Sequence, residues 1–130
     1  MSQTATETGI YSKLAGLGAN FGTRVFAQLA PAGTATPYCI FFHVAGGEKN
    51  DSPARAVDLD YQIEVVSTVL SEARAGADTI KEALHNGTMT VSGWGVMAIT
   101  AETPFERVDL VEGKQWWRRG DTYRIRLNKS

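Results

Sequence analysis

The chain has 130 residues, of which 43% are hydrophobic and 21% charged, and a formal net charge of −1. That composition suits one soluble domain with one core and excludes wholesale disorder, and the charge leaves the whole molecule without long-range pull toward nucleic acid or an anionic membrane. The lone cysteine, Cys39, excludes an intrachain disulfide and suits a reducing compartment such as the cytoplasm.

Residues 1–8 are polar, with no basic start and no apolar run behind them, so they read as a flexible N-terminus rather than a signal peptide. A single domain is expected over residues 9–130. Thr8 is placed to cap a short helix in which Ile10, Leu14 and Leu17 recur at helical spacing, and Gly18 would end it. Residues 24–31 (RVFAQLAP) read as a strand with Val25, Ala27 and Leu29 on one side. A turn at Pro31-Ala32-Gly33 follows, and Pro37 opens a second strand over residues 37–44. The longest apolar run, residues 39–42, is far short of the roughly 20 residues that cross a bilayer.

Residues 46–54 (GGEKNDSPA) are the clearest loop, with no apolar side chain larger than alanine to anchor them. After it, Val57, Leu59, Tyr61, Ile63 and Val65 alternate with Asp58, Asp60, Gln62 and Glu64. That period predicts a strand with one buried and one wet face, forming a hairpin with residues 37–44. Ser71 is expected to cap a second helix, with Glu72 favoured by the helix dipole; Ala73, Ala77, Ile80 and Leu84 form its narrow apolar stripe, and Asn86-Gly87 stops it. Strands follow at residues 89–91, 96–100 and 122–127, the last alternating Tyr123, Ile125 and Leu127 with Arg124 and Arg126. The expected fold class is α+β: a single mixed, mostly antiparallel sheet with two α-helices packed on one face.

Little in this pattern resembles an active site. Cys39 and His43 lie roughly 13 Å apart along a strand, too far to share one ion, and the spacings of zinc sites are absent. Cys39 sits inside an apolar run, as inert thiols do. No nucleophile elbow, phosphate-binding loop or zinc-protease motif occurs, and Gly93-Trp94-Gly95 lacks a helix with an open N-terminus behind it. No catalytic residue, metal site or cofactor is expected. Asp58, Asp60 and Glu64 read as a solvated acidic row, and Arg124 and Arg126 as a basic row of the same period. If the two meet, within one sheet or between subunits, they fix register by charge. The cluster Trp116-Trp117-Arg118-Arg119 keeps three readings open: a subunit or partner interface, part of the core, or a small single-stranded nucleic-acid-binding module.

These phrases together resemble a family. The runs RVFAQLAPAGTATPYCIFFHVAGG and DLDYQIEVVST, the helix ending EALHNG, and the late WWRRGDTYRIRL are similar to the small tail-completion proteins of tailed bacteriophages. These include tail terminators and related tail-to-head joining proteins, and the likeness spans residues 9–128. The resemblance implies a structural, non-enzymatic virion protein, assembled in the host cytoplasm and residing at the tail top or head–tail junction. It implies a ring, usually of six copies, that caps the tail tube, ends its polymerisation and presents a surface to the head connector or neck protein. DNA would pass only as cargo, and no membrane is involved. A loop between two strands meets the tube in such proteins; here the matching residues are Gly46, Gly47, Glu48, Lys49, Asn50, Asp51 and Ser52. On this reading Trp116, Trp117, Arg118, Arg119, Arg124 and Arg126 serve subunit or partner contacts, and Asp58, Asp60 and Glu64 face a channel or set register.

Overall fold

The computed structural model describes residues 2–47 and 56–129. Its elements are α1 (Ser2–Ala15), β1 (Val25–Ala27), β2 (Tyr38–Gly47), β3 (Ala56–Ser67), α2 (Leu70–Leu84), β4 (Trp94–Val111) and β5 (Lys114–Lys129). The strands form one five-stranded sheet in the order β1-β2-β3-β5-β4. β1 runs parallel to β2 and every other neighbouring pair is antiparallel, so the sheet is mixed and mostly antiparallel.

β3 takes the central position because its alternation gives it a fully apolar face. Val57, Leu59, Tyr61, Ile63 and Val65 are each at most 2% exposed. Burying such a side chain is worth about 1.5–3 kcal/mol, so this one face is a large share of the driving force for folding. Both helices cover that face: Ile10 and Leu14 of α1 and Ile80 and Leu84 of α2 join the core of β3 and of Tyr123, Ile125 and Leu127 on β5. The α+β architecture expected from the sequence therefore holds. So does the hairpin of β2 with β3, which pairs Cys39 with Val65 and Phe41 with Ile63.

The expected apolar stripe of α2 is buried, and Gly76 belongs to it as well. A Cβ there would sit 2.8 Å from Asn20 Oδ1 and 3.0 Å from a Val65 methyl, so the missing side chain is what lets α2 lie close to β3.

Several boundaries differ from expectation, each for an identifiable reason. The flexible N-terminus expected over residues 1–8 is helical from Ser2, so Thr8 lies inside α1 rather than capping it. That first stretch is tied to the core: Thr6 is fully buried, and the Tyr61 hydroxyl donates to Glu7 Oε2 at 3.0 Å. The strand expected over residues 24–31 keeps only Val25–Ala27, because Gln28 adopts a positive φ of 67° and turns the chain outward, leaving Leu29 exposed. Ser71 does not cap α2. The cap position is Val69, and Ser67 upstream organises the turn, accepting from the Val69 amide at 3.1 Å and donating to Glu72 Oε1 at 2.7 Å. Residues 89–91 form no strand beyond a single bridge of Val91 with Trp94. Finally, the strands expected at 96–100 and 122–127 are parts of one long hairpin, β4–β5. Its two-residue connection, Glu112-Gly113, has φ values of 51° and 75°, the left-handed pair that suits the twist of antiparallel strands. Gly120 and Asp121 accordingly lie within β5, opposite Glu64 and Ile63.

Candidate functional site

Every second residue of β3 and β5 points away from the helices, and on that outer face the two charged rows meet. Asp58 is paired with Arg126 and Asp60 with Arg124 in the strand register. Each arginine grips its carboxylate with two nitrogens: Arg126 to Asp58 at 2.8 and 3.1 Å, Arg124 to Asp60 at 3.0 and 3.3 Å. Glu102 of β4 approaches Arg124 at 3.8 Å. The rows therefore meet within one sheet of one chain, and opposite charges directly across from each other favour this register over a slipped one. Being exposed, the pairs contribute modestly to stability and weaken with salt.

Glu64 differs from the other carboxylates. It is 1% exposed, held by Arg118 Nη1 at 3.0 Å, and receives a longer contact from Gln62 Nε2 at 3.4 Å. Burial pushes its carboxyl above the ordinary range, and Arg118 and Gln62 pull the other way without cancelling it. Gly120 faces Glu64 across the strands, and a Cβ there would collide with the Ile63 carbonyl oxygen, so only glycine allows this close approach. Arg118 also reaches Asp109 Oδ2 at 2.9 Å, and Arg107 approaches the other oxygen of Asp109 at 3.2 Å. The result is a charge chain, Glu64–Arg118–Asp109–Arg107, that links the centre of the sheet to the β4–β5 hairpin.

That hairpin continues past the body of the domain. β3 makes its last pairing at Ser67 with Trp117, whereas β4 and β5 stay paired to Val111 and Lys114. On the helix side of this arm Val108 lies opposite Trp117 and Leu110 opposite Gln115. α2 does not cover them: Val108 is 44% exposed and Leu110 71%. A brace from α2 reaches the base of the arm, where Arg74 grips Glu106 at 2.8 and 3.0 Å.

The cluster at residues 116–119 is therefore divided between two faces. Trp116, opposite Asp109, lies on the outer side with the Lys114 ammonium 5.7 Å from its ring centre, and Trp117 lies on the helix side. Both are half-buried, and Arg118 is committed to two carboxylates. The four residues thus do not form one stacking platform of the kind a single strand of nucleic acid needs. Arg107, Val108, Asp109 and Leu110 escaped the sequence reading; the alternation in FERVDLV is the one trace of the strand, and Glu-Gly is not among the dipeptides that mark tight hairpins.

Of the residues expected to meet a tube, Gly46 and Gly47 are the last of β2, opposite Leu59 and Asp58. Gly46 has a φ of 85° and no room for a side chain against the Asp58 backbone. Glu48, Lys49, Asn50, Asp51 and Ser52 lie outside the described residues. Elsewhere His43 Nε2 is bonded to the Gly46 carbonyl at 2.9 Å, and His85 Nδ1 accepts from the Ala101 amide at 3.0 Å. Cys39 is buried and its thiol is pushed up, chiefly by that burial. Among the described residues no three potential metal ligands come together, and no helix is long and apolar enough to cross a membrane.

The profile of the family described as tail completion protein gp17 matches residues 9–128. A solved chain from the virion of a native gene transfer agent particle is similar in fold, with a TM-score of 0.74 and 19% identity over 98% of this chain and 97% of that one. A second solved chain, without a descriptive name, superposes with a TM-score of 0.56 and 15% identity over 96% of each chain. No curated protein matches the sequence.

Proposed function

The chain belongs to the tail completion protein gp17 family of structural bacteriophage tail proteins, and from that premise we propose that it closes into a ring, of six copies, on the end of a tail tube. The ring ends tube polymerisation and offers its far surface to the head connector or neck protein, at the top of the tail in the virion. The observation that carries this reading is the β4–β5 arm: a paired hairpin with exposed Val108 and Leu110, braced by ion pairs and projecting beyond the cover of its own helices. Such an element suits a neighbouring subunit, because apolar side chains uncovered in the free chain lose their contact with water in an assembly. Trp116, Trp117, Arg118 and Arg119 stand at the arm and belong to this contact.

The outer face supports a passage for DNA rather than a grip on it. Arg118, Arg124 and Arg126 are each neutralised by a carboxylate of β3, so this face presents paired charge. A duplex moving past such a wall meets few free cations to release its counterions against. Asp58 and Asp60 thereby serve as the register and lining face of the ring, while Glu64, buried and held by Arg118, serves register alone. Contact with the tube is assigned to residues 46–52, which run in sequence from the end of β2 toward β3, on the strength of their polar composition.

The reading is tested by adding the purified chain to polymerising tail tube protein and measuring tube lengths by electron microscopy. Tubes that stop short, each with added density at one end, are expected. Unchanged tube lengths with the chain left in the supernatant would refute it. Replacing Lys49, Asn50 and Asp51 by glycine and serine is expected to abolish capping while leaving the melting temperature unchanged. A collapse of thermal stability would instead make those residues structural.

A further inference from the structure

The outer edge of β4 is not uniformly covered. β4 is a terminal strand of the sheet, and the two halves of its outer edge differ. Along the first half the connector after α2 supplies partners: the Asn86 amide donates to the Ile99 carbonyl at 2.8 Å, and the Ala101 amide donates to His85 Nδ1 at 3.0 Å. Along residues 105–111 no backbone group on that edge has a partner among the described residues. An exposed edge is a template for another strand, and proteins blunt theirs with charged side chains, lysine above all, with proline or with bulges. The three charges of this stretch, Glu106, Arg107 and Asp109, are each held in an ion pair within the chain. Here the irregularities fall between Val96 and Ala98 and between Ala101 and Thr103, before this stretch, and residues 105–111 contain neither lysine nor proline.

The sequence of this stretch, Phe105-Glu-Arg-Val-Asp-Leu-Val111, is complementary to itself when reversed. Pairing about Val108 sets Arg107 opposite Asp109 of a second copy and Asp109 opposite Arg107 of that copy. Phe105 then meets Val111, and the two Val108 side chains meet on the axis. The faces agree as well. Phe105, Arg107, Asp109 and Val111 share the outer side, as the Arg107–Asp109 and Arg118–Asp109 ion pairs require, and Glu106, Val108 and Leu110 share the helix side with Arg74. Glu106, the one acid on that side, is already neutralised by Arg74, so no carboxylate is left unpaired against Leu110 of the other copy. Complementary charge at two symmetry-related positions, together with an apolar pair on the axis, selects a second copy over an unrelated strand.

We propose that free chains associate as two-fold dimers by antiparallel pairing of residues 105–111, extending the sheet from five strands to ten across the axis. The contact closes with two copies, whereas a ring needs head-to-tail contacts, so the dimer stands or falls separately from the ring. It hides the strand edge most prone to non-specific pairing before the chain reaches a tail.

Sedimentation equilibrium of the full chain over a wide concentration range tests the proposal. A species of twice the 14.1 kDa chain mass is expected at high concentration, dissociating on dilution. Val108→Lys, which sets two ammonium groups together on the axis, is expected to sediment as a monomer throughout. A wild type that is monomeric at every concentration, or that passes directly to a ring, would overturn the dimer, as would a folded Val108→Lys protein that keeps the doubled mass. Should that variant fail to fold, amide hydrogen exchange of the wild type decides. Alternate amides in residues 105–111 are expected to exchange several-fold more slowly at high concentration than at low, and exchange independent of concentration would count against the pairing.

Discussion

The two ends of β5 make an instructive pair. From Asp121 to Leu127 every second residue is almost fully buried, clamped between β3 and β4 beneath α2. From Lys114 to Arg119 the same strand, with the same alternation and still paired to β4, buries none of its side chains fully. The backbone geometry is shared; the cover is not. One end is scaffold because both neighbours and a helix lie on it. Toward the other the cover runs out, because β3 makes its last pairing with Trp117 and α2 begins only at Leu70. In this fold the division between stability and assembly runs across single strands rather than between elements.

The largest effect is expected where the cover is complete. Ile63→Asp buries an unpaired carboxylate on the central core face, a cost of the same order as the roughly 5–15 kcal/mol that keeps a domain folded, and should leave most of the protein unfolded. Circular dichroism and soluble yield read this directly, and a folded, soluble product would break the account of β3. Next is Gly120→Ala, whose new methyl meets the Ile63 backbone; an expected loss of about 1–3 kcal/mol lowers the melting temperature by several degrees.

Glu64→Gln sharpens the comparison through pH. The Glu64 carboxyl is raised in the folded state by burial, so folding favours its protonated form. The stability linked to that proton is complete below the ordinary glutamate range and is lost as pH rises through the raised value. The wild type should therefore lose stability relative to Glu64→Gln between acid and neutral pH, in thermal melts run in parallel. A difference in melting temperature that is flat with pH would show Arg118 offsetting the burial cost in full. The smallest effect belongs to the arm: Leu110→Ser should change stability by less than ~0.5 kcal/mol while abolishing capping of tail tubes. If stability falls with capping, the arm is part of the fold and the contrast within β5 disappears.

What could be read from the sequence follows the same line. β3 and residues 122–127 of β5 were legible because one covering layer turns a period of two into strict apolar alternation. The α2 stripe was legible for the corresponding reason at helical period. The arm was not, because with no cover on either face Val108 and Leu110 alternate with Arg107 and Asp109 without a core to mark them, and the tryptophans occupy adjacent positions on opposite faces. The meeting of the acidic and basic rows could be anticipated from matching periods, but their register depends on a β3–β5 pairing between residues more than sixty positions apart. The early start of α1 was missed because its anchors, Thr6 and Glu7, are polar residues whose partner, for Glu7, is the hydroxyl of a core tyrosine. The cap of α2 was misplaced because Ser67 acts from outside the helix.

The most direct test of the central claim is to image tail tubes capped by the purified chain, in end view, and count the subunits at the tip. The account predicts a closed ring of six copies around an open centre, with the arm of each subunit against its neighbour. Isolated chains scattered along the tube wall, or a tip without rotational symmetry, would contradict it.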